Sequence, residues 1–407
     1  MTPSSIASRR GLLVVTAAVS INLILGALYA WGVIAKALVM QWGWTKTQAS
    51  LPFTISTALF AVMMIFAGRA QDRIGPRVVA MVGGVIFGLG LFASAYAHSP
   101  LLMAITFGGI GGAGLGLGYS ATTPPAIKWY PASKKGLVTG IVVSGVGLSA
   151  VYVSPLTQLL LEKTSILTTF MFLGLGAVVL IMFFSQFLSN PPADFVPVQT
   201  AAASSSPTAL AKRSLDWHEM LRTRAFYMLW IMFVLAASAG LMIIAHVAII
   251  AKEQAGWKWG FVPVAMLAIF NTLGRVVSGI VSDRMGRTRT MVLAFVLQAI
   301  NMFLFSHYTS PSLLVFGSAF TGLCYGTIYT LMPAATADFY GVKHLGVNYG
   351  FVFSGFGVAG ILGPILGGRI RDLSGSYSLS YTISACMLVV AAAMALATRA
   401  PTSEEAA

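Results

Sequence analysis

The stretch "AIFNTLGRVVSGIVSDRMGR", residues 268–287, places Arg275 between apolar neighbours in a segment that otherwise has the composition of a membrane-spanning helix. Arg275 precedes Asp283 by eight residues, which puts it roughly 12 Å inside the end of such a helix. An arginine near the middle of a bilayer costs at least about 2.5 kcal/mol and usually faces a cavity or a transport pathway. The stretch therefore predicts a membrane fold with a functional charge inside it.

The composition of the whole chain agrees with a membrane fold. Of 407 residues, 57% are hydrophobic and 9% are charged, and apolar runs long enough to cross a bilayer recur along nearly the whole length. The run after Arg9 and Arg10 is too long for a signal peptide and is predicted to be the first span. We predict an all-α membrane protein with spans at residues 11–39, 47–68, 78–97, 101–127, 136–161, 165–188, 224–251, 260–282, 289–307, 311–337, 345–370 and 378–398.

The positive charges indicate the orientation of these spans. About 17 of the 25 lysines and arginines flank the side of both termini, and about seven flank the other side. Both termini are therefore expected in the cytoplasm, and the net charge of +14 is expected to be mostly a topology signal carried by loops that face anionic lipid. Nothing interleaves these charges with base-stacking aromatics, so we expect no nucleic-acid partner. Cys324 and Cys386 lie in apolar runs, and we expect no metal site and no cofactor.

The chain repeats itself about a linker rich in Pro, Ser and Ala. "GRAQDRIGPR" (68–77) and "GIVSDRMGR" (279–287) share G-x-x-x-D-R-x-G, and "YSATTPPAIKWYP" (119–131) aligns with "YTLMPAATADFYG" (329–341) at almost the same offset. The repeat predicts two six-helix bundles, at 1–188 and 224–407, joined by a cytoplasmic linker at 189–223.

The repeated motif resembles the signature of the major facilitator superfamily. Within that superfamily, "KWYPASKKGLVTG" (128–140), "MLRTRAFYMLW" (220–230) and "NYGFVFSGFG" (348–357) are similar to the monocarboxylate porters and the oxalate–formate antiporters. The resemblance covers the whole chain. It implies a secondary transporter whose two bundles alternate about a substrate site at their interface.

The signature also has a physical interpretation of its own. Gly68 and Gly279 would let a neighbouring helix approach closely, and the charged residues beside them lie at helix ends. We expect these charges to latch the outward-open state; the alternative is that they only enforce the orientation in the membrane. The expected gating residues are Asp72, Arg73, Asp283 and Arg284, with Arg77 and Arg287 as further ion-pair partners.

For Arg275 we expect substrate binding rather than a structural ion pair. All 11 acidic residues fall in predicted loops, tails or helix ends, and the first-half equivalent of Arg275 is about Met64. The planar guanidinium matches a carboxylate, and Asn271 and Ser278 lie about one helical turn to either side of it. The substrate is therefore expected to be a small carboxylate.

The resemblance narrows the substrate further. The monocarboxylate porters carry an acid one turn before the equivalent arginine, whereas this chain has Asn271, which puts a proton pathway through this position in doubt. The oxalate–formate antiporters carry a second cation in the eleventh helix, whereas this chain has Phe356. A single buried cation fits one negative charge and favours a monocarboxylate such as lactate, pyruvate or acetate.

Other side chains are weaker candidates. Residues that could line the substrate pocket are Tyr119, Tyr329, Tyr325, Phe356, Tyr29, Leu28 and Ser354, for which simple packing is about as plausible. His246 lies within a span and could relay a proton or gate entry, or could be a hydrogen-bonded structural histidine.

These observations predict a proton-coupled symporter of small monocarboxylates in a bacterial inner membrane. An oxalate- or formate-type antiporter is the alternative, followed by a membrane sensor that binds its ligand without transporting it. We do not expect an enzyme, since the sequence shows no catalytic triad, metal cluster or nucleotide-binding loop.

Overall fold

A computed structural model of the protein describes residues 3–192, 195, 214–257 and 259–401, and the elements in these ranges are helical. The α-helices are α1 (Pro3–Leu25), α2 (Trp31–Trp42), α3 (Lys46–Ile74), α4 (Pro76–Ser94), α5 (Pro100–Met103), α6 (Gly112–Ser120), α7 (Thr123–Lys128), α8 (Lys135–Lys163), α9 (Ile166–Ser185), α10 (Trp217–Arg222), α11 (Arg224–Ala255), α12 (Phe261–Met285), α13 (Arg287–Phe305), α14 (Pro311–Tyr340), α15 (Leu345–Ser374) and α16 (Ser378–Ala397).

Within the described part of the chain, twelve helical segments are long and apolar enough to cross a membrane, which confirms the predicted number. The first span comprises α1 and α2, the fourth comprises α5 to α7, and the short α10 lies between the sixth and the seventh. The second and eighth spans extend further than predicted, to Ile74 and Met285. Each ends at a glycine with positive φ, Gly75 (89°) or Gly286 (92°). The two signature aspartates therefore lie in the last turns of their helices.

Three of the twelve described spans are not α-helical throughout, and in the fifth only the first residues, Ala132–Lys134, form a 3₁₀ segment. The first contains a 3₁₀ segment at Gly26–Ala30, and the fourth contains a π-helical segment at Ala104–Gly111. The fourth span also breaks after Ser120, because Pro124 and Pro125 provide no N–H for the preceding turn. The Thr122 hydroxyl donates to the Tyr119 carbonyl (2.7 Å) at this break. The continuous fourth helix predicted at 101–127 is therefore interrupted twice.

The fourth span contains a glycine-rich run, "FGGIGGAGLGLGYS" (107–120), that packs against neighbouring helices. A Cβ added at Gly114 would overlap the backbone of Phe87, and one at Gly118 would press on Leu25. Small residues allow membrane helices to approach backbone to backbone. The run therefore serves helix packing.

The chain divides into two compact units. Unit 1 comprises Met1–Pro131, Ile141–Lys212 and Val342–Phe351, and unit 2 comprises Ala132–Gly140, Arg213–Gly341 and Val352–Ala407. The division at 1–188, 189–223 and 224–407 that the duplication suggests stays a prediction. Residues 193–194 and 196–213 of the predicted linker lie outside the described residues. The end of the predicted linker forms α10, which Asp216 caps by accepting from the backbone N–H groups of His218 and Glu219.

Candidate functional site

Arg275 lies in α12 with a side chain that is almost completely buried, at 1% exposure. Its Nε donates to Oδ1 of Asn271 (3.3 Å), one helical turn earlier. The guanidinium carbon lies 4.7 Å from the ring centroid of Tyr329 in α14, within the range of a cation–π interaction. The structure thus brings together three of the predicted site residues.

Glycines explain why α14 comes so close to α12. A Cβ at Gly322 would overlap the carbonyl of Leu267, and a Cβ at Gly326 would overlap that of Asn271. Gly274 of α12 is constrained in the same way, because a Cβ added to it would overlap the carbonyl of Leu323 in α14. The spacing Gly322-x-x-x-Gly326 is typical of tightly packed membrane helices and is a sequence signal for this contact. It places Tyr329 one turn further along, beside Arg275.

Tyr329 contacts aromatic residues of its own helix and of two other helices. The hydroxyl groups of Tyr325 and Tyr329 are hydrogen-bonded, and the two ring centroids are 5.1 Å apart. Phe356 in α15 lies 5.7 Å from Tyr329, and Phe233 in α11 lies 6.2 Å from Tyr329 and 6.4 Å from Phe356. Phe233 is not apparent from the sequence, because a phenylalanine in an apolar helix carries no distinguishing pattern. These rings form an apolar wall beside the guanidinium.

The backbone of Arg275 is also held in place, through contacts to its carbonyl oxygen. It accepts hydrogen bonds from Thr330 Oγ1 (2.8 Å) and Ser278 Oγ (3.3 Å). The Ser278 hydroxyl therefore donates to its own helix, and its assignment to the substrate site stays a prediction. A Cβ at Gly140, within unit 2, would also overlap this carbonyl. The backbone at Arg275 is thus fixed by three separate residues.

Ser354 is held by a tryptophan that the sequence analysis did not identify. The Trp230 indole N–H in α11 donates to Ser354 Oγ (2.9 Å). Ser354 lies between Phe353 and Phe356 in α15, and the rings of those two residues are 5.2 Å apart. Trp230 therefore fixes the part of α15 that presents Phe356.

His246 belongs to a different group of contacts in unit 2. Its Nε2 lies 3.0 Å from the Pro364 carbonyl, and its Nδ1 lies 3.3 Å from the Tyr377 hydroxyl. Burial raises the pKa of the Tyr377 hydroxyl, and nearby Glu253 adds to this rise in pKa. The Tyr377 hydroxyl therefore stays protonated at physiological pH and can donate a hydrogen bond to His246 Nδ1. This contact favours the structural interpretation of the histidine.

Three predicted pocket residues lie in unit 1. Tyr119 is buried with its ring edge-on to Phe60, at a centroid distance of 5.4 Å. Leu28 and Tyr29 lie in the 3₁₀ segment of the first span, where Leu28 is half-buried and Tyr29 is exposed. Their assignment to the substrate pocket stays a prediction.

The signature aspartate of unit 2 caps a helix and joins an ionic network. The Asp283 carboxylate accepts from the backbone N–H groups of Gly136 (2.8 Å) and Leu137 (2.8 Å) in the first turn of α8. Arg287 bridges Asp283 (2.6 Å) to Asp338 (2.8 Å). A carboxylate at a helix N-terminus satisfies N–H groups that lack partners within the helix.

The signature aspartate of unit 1 makes the equivalent contacts. Asp72 accepts from the backbone N–H groups of Gly346 (3.3 Å) and Val347 (3.0 Å), and Lys128 lies 3.9 Å from it. The Arg77 guanidinium donates to the Gln186 carbonyl (2.7 Å), and its expected role as an ion-pair partner stays a prediction.

The two arginines that follow the signature aspartates, Arg73 and Arg284, have exposed side chains. Their assignment to gating stays a prediction. The pairing of Lys128 with Asp72 is not apparent from the sequence, because the two residues lie in different spans. Gly68 and Gly279 do allow close helix approach, since a Cβ at either position would overlap a glycine carbonyl, that of Gly346 or Gly136.

The described residues contain twelve apolar spans, two copies of one capping motif and a buried guanidinium, which define a polytopic membrane protein with a charged internal site. The sequence profile of the Major Facilitator Superfamily matches residues 12–300 and 263–407. The chain therefore belongs to this superfamily of transporters.

Individual relatives agree with this assignment. The chain is 27% identical to the oxalate:formate antiporter of Oxalobacter formigenes, over 92% of this chain and 87% of the relative. It is 24% identical to monocarboxylate transporter 13 of Rattus norvegicus, over 90% and 83% of the two chains. Among solved structures, the superfamily transporter FucP in its outward conformation matches with a TM-score of 0.73 and 14% identity, covering 96% of this chain and 99% of FucP. This last likeness supports the fold alone.

Proposed function

We propose that this transporter moves small monocarboxylates, such as lactate or pyruvate, together with a proton by alternating access. The observation that carries the proposal is the buried guanidinium of Arg275, held between the Asn271 amide and the face of Tyr329. A fixed positive charge in a low-dielectric interior attracts a carboxylate, and the planar guanidinium can bind it with two parallel hydrogen bonds. The names of the relatives, an oxalate:formate antiporter and a monocarboxylate transporter, support a carboxylate substrate.

The aromatic wall supports a substrate with a single negative charge. Phe356 and Phe233 lie next to Tyr329 and offer an apolar surface to the remainder of the acid. A second carboxylate placed against these rings would lose its hydration without gaining a partner. A monocarboxylate with a short apolar chain fits both the charge and the wall.

Electroneutral transport supports the proposed coupling to a proton. A carboxylate that enters together with one proton crosses without net charge, which avoids moving a bare charge through the bilayer. Asn271 does not titrate, so in this proposal no side chain one turn before Arg275 carries the proton. We also propose that the protein lies in a bacterial inner membrane with both termini in the cytoplasm. In this proposal, Asp72 and Asp283 belong to a latch that stabilises the outward-open state.

The test is uptake of labelled lactate and pyruvate into proteoliposomes, with and without an inward proton gradient. The proposal expects the gradient to accelerate uptake. The second candidate, an organic-anion antiporter, is favoured by the likeness to the oxalate:formate antiporter and would require preloaded counter-substrate while ignoring the gradient. Saturable binding without flux into the vesicles would indicate a sensor instead.

A further inference from the structure

We infer that Tyr325 closes the rear of the carboxylate site and limits the length of the acids that the transporter accepts. This inference rests on the proposed function and adds a determinant of chain length to it. It concerns residues of unit 2 around Tyr325, which belong to α11, α13, α14 and α16.

The ring of Tyr325 is held at both ends. Its hydroxyl is hydrogen-bonded to that of Tyr329, whose ring lies beside Arg275. Its other edge lies against Gly240 in α11, where an added Cβ would overlap Cδ2 and lie 3.0 Å from Cγ. The ring therefore occupies a notch that only glycine leaves open.

A small cavity lies on the side of Tyr325 that faces Gly240. Its lining includes Ala236, Gly240, Gln298, Cys324, Tyr325 and Ile328, all of which are buried, and it has room for about one water molecule. Tyr325 therefore contacts both this cavity and Tyr329, the residue whose ring lies beside the guanidinium.

The chemistry of the cavity suits an aliphatic chain. Gln298 is a polar lining residue, but its Nε2 donates to Thr321 (3.2 Å) and its Oε1 accepts from Asn301 (3.4 Å). The remaining lining is largely apolar. Removal of the Tyr325 ring would join this apolar space to the Arg275 site, so that the chain of a longer monocarboxylate could extend into it.

Gly240 then acts as a positioning residue for Tyr325. Gly240→Ala would push the Tyr325 ring towards Tyr329 and narrow the carboxylate site. In a protein that also carries Tyr325→Ala, the added methyl group would no longer contact this ring. The two substitutions should therefore be non-additive, as expected for residues in direct contact.

The experiment measures how acetate, propionate, butyrate and hexanoate compete with labelled pyruvate for uptake into proteoliposomes. The variants are Tyr325→Leu, the more severe Tyr325→Ala, Gly240→Ala and Gly240→Ala combined with Tyr325→Ala. Phe305→Leu is the matched control, because Phe305 is an equally buried aromatic in unit 2 that does not line the cavity.

We expect the affinity for hexanoate relative to acetate to rise at least about tenfold in Tyr325→Leu, and to stay unchanged in Phe305→Leu. Gly240→Ala should weaken pyruvate uptake in the wild-type background and have no further effect in the Tyr325→Ala background. An unchanged chain-length preference in a Tyr325→Leu protein that still takes up pyruvate would overturn this inference alone. Failure of the wild type to take up any of these acids would overturn the proposed function and this inference with it.

Discussion

The main-chain carbonyls of Met64 and Arg275 lie in equivalent surroundings, each pressed against a glycine of another helix. Gly350 approaches the Met64 carbonyl, and Gly140 approaches that of Arg275. Both side chains are fully buried, with exposures of 0% and 1%. The same glycine-to-carbonyl contact therefore forms at Met64 in the first repeat and at Arg275 in the second, although their side chains differ. Helix packing at this position does not require the charge of Arg275.

The contact at Gly140 gives the first prediction. Gly140→Ala would place a methyl group on the Arg275 carbonyl, displace α12 and lower the free energy of unfolding by about 1–3 kcal/mol. Thermal unfolding in detergent measures this loss. Gly176→Ala is the control, because a Cβ at Gly176 has open space around it. Equal melting temperatures for the two variants would show that the contact is not constrained.

The capping aspartates give the second prediction. Asp283→Asn should speed hydrogen exchange at the N–H groups of Gly136 and Leu137 by roughly 5- to 30-fold, because a charged acceptor contributes about 1–2 kcal/mol more than a neutral amide. Asp72→Asn should act in the same way at Gly346 and Val347.

Each of these two variants is the control for the other, and mass spectrometry of exchanged peptides reads out both segments. The latch hypothesis further expects both variants to shift the protein towards the inward-open state. Faster hydrogen exchange at these N–H groups without any change in transport rate would show that the two aspartates cap helices but do not take part in gating.

Much of this architecture is predictable from hydropathy and repetition. Membrane spans are long and uniformly apolar, so their number follows from the sequence, whereas the helical turns that contain Asp72 and Asp283 are polar and resemble loops. Arg275 is detectable because a charge stands out in an apolar helix. Phe233 and Trp230 do not stand out, because rings that line a site and rings that face lipid have the same composition. Their roles depend on packing between helices far apart in sequence.

Phe356 gives the third prediction. Phe356→Lys would add a second cation beside Tyr329, at the position where the resemblance to oxalate–formate antiporters places one. We expect the affinity for oxalate to rise at least about tenfold and uptake of pyruvate to fall, since one charged contact contributes about 1.5–3 kcal/mol. Competition of oxalate against labelled pyruvate measures the change.

Phe316→Lys controls for the added charge, because Phe316 is exposed on α14 and makes its ring contact with Phe320. A Phe356→Lys protein that remains folded and still ignores oxalate would separate Phe356 from the substrate site.

The most direct test of the central claim is pyruvate uptake by Arg275→Gln, compared with Met64→Leu at the equivalent position of the first repeat. Glutamine keeps a polar side chain next to Asn271 but removes the positive charge. We predict that Arg275→Gln loses uptake efficiency by about 100-fold, which corresponds to roughly 3 kcal/mol, and that Met64→Leu retains it. A folded Arg275→Gln protein that takes up pyruvate as efficiently as the wild type would contradict the assignment of Arg275 to the carboxylate site.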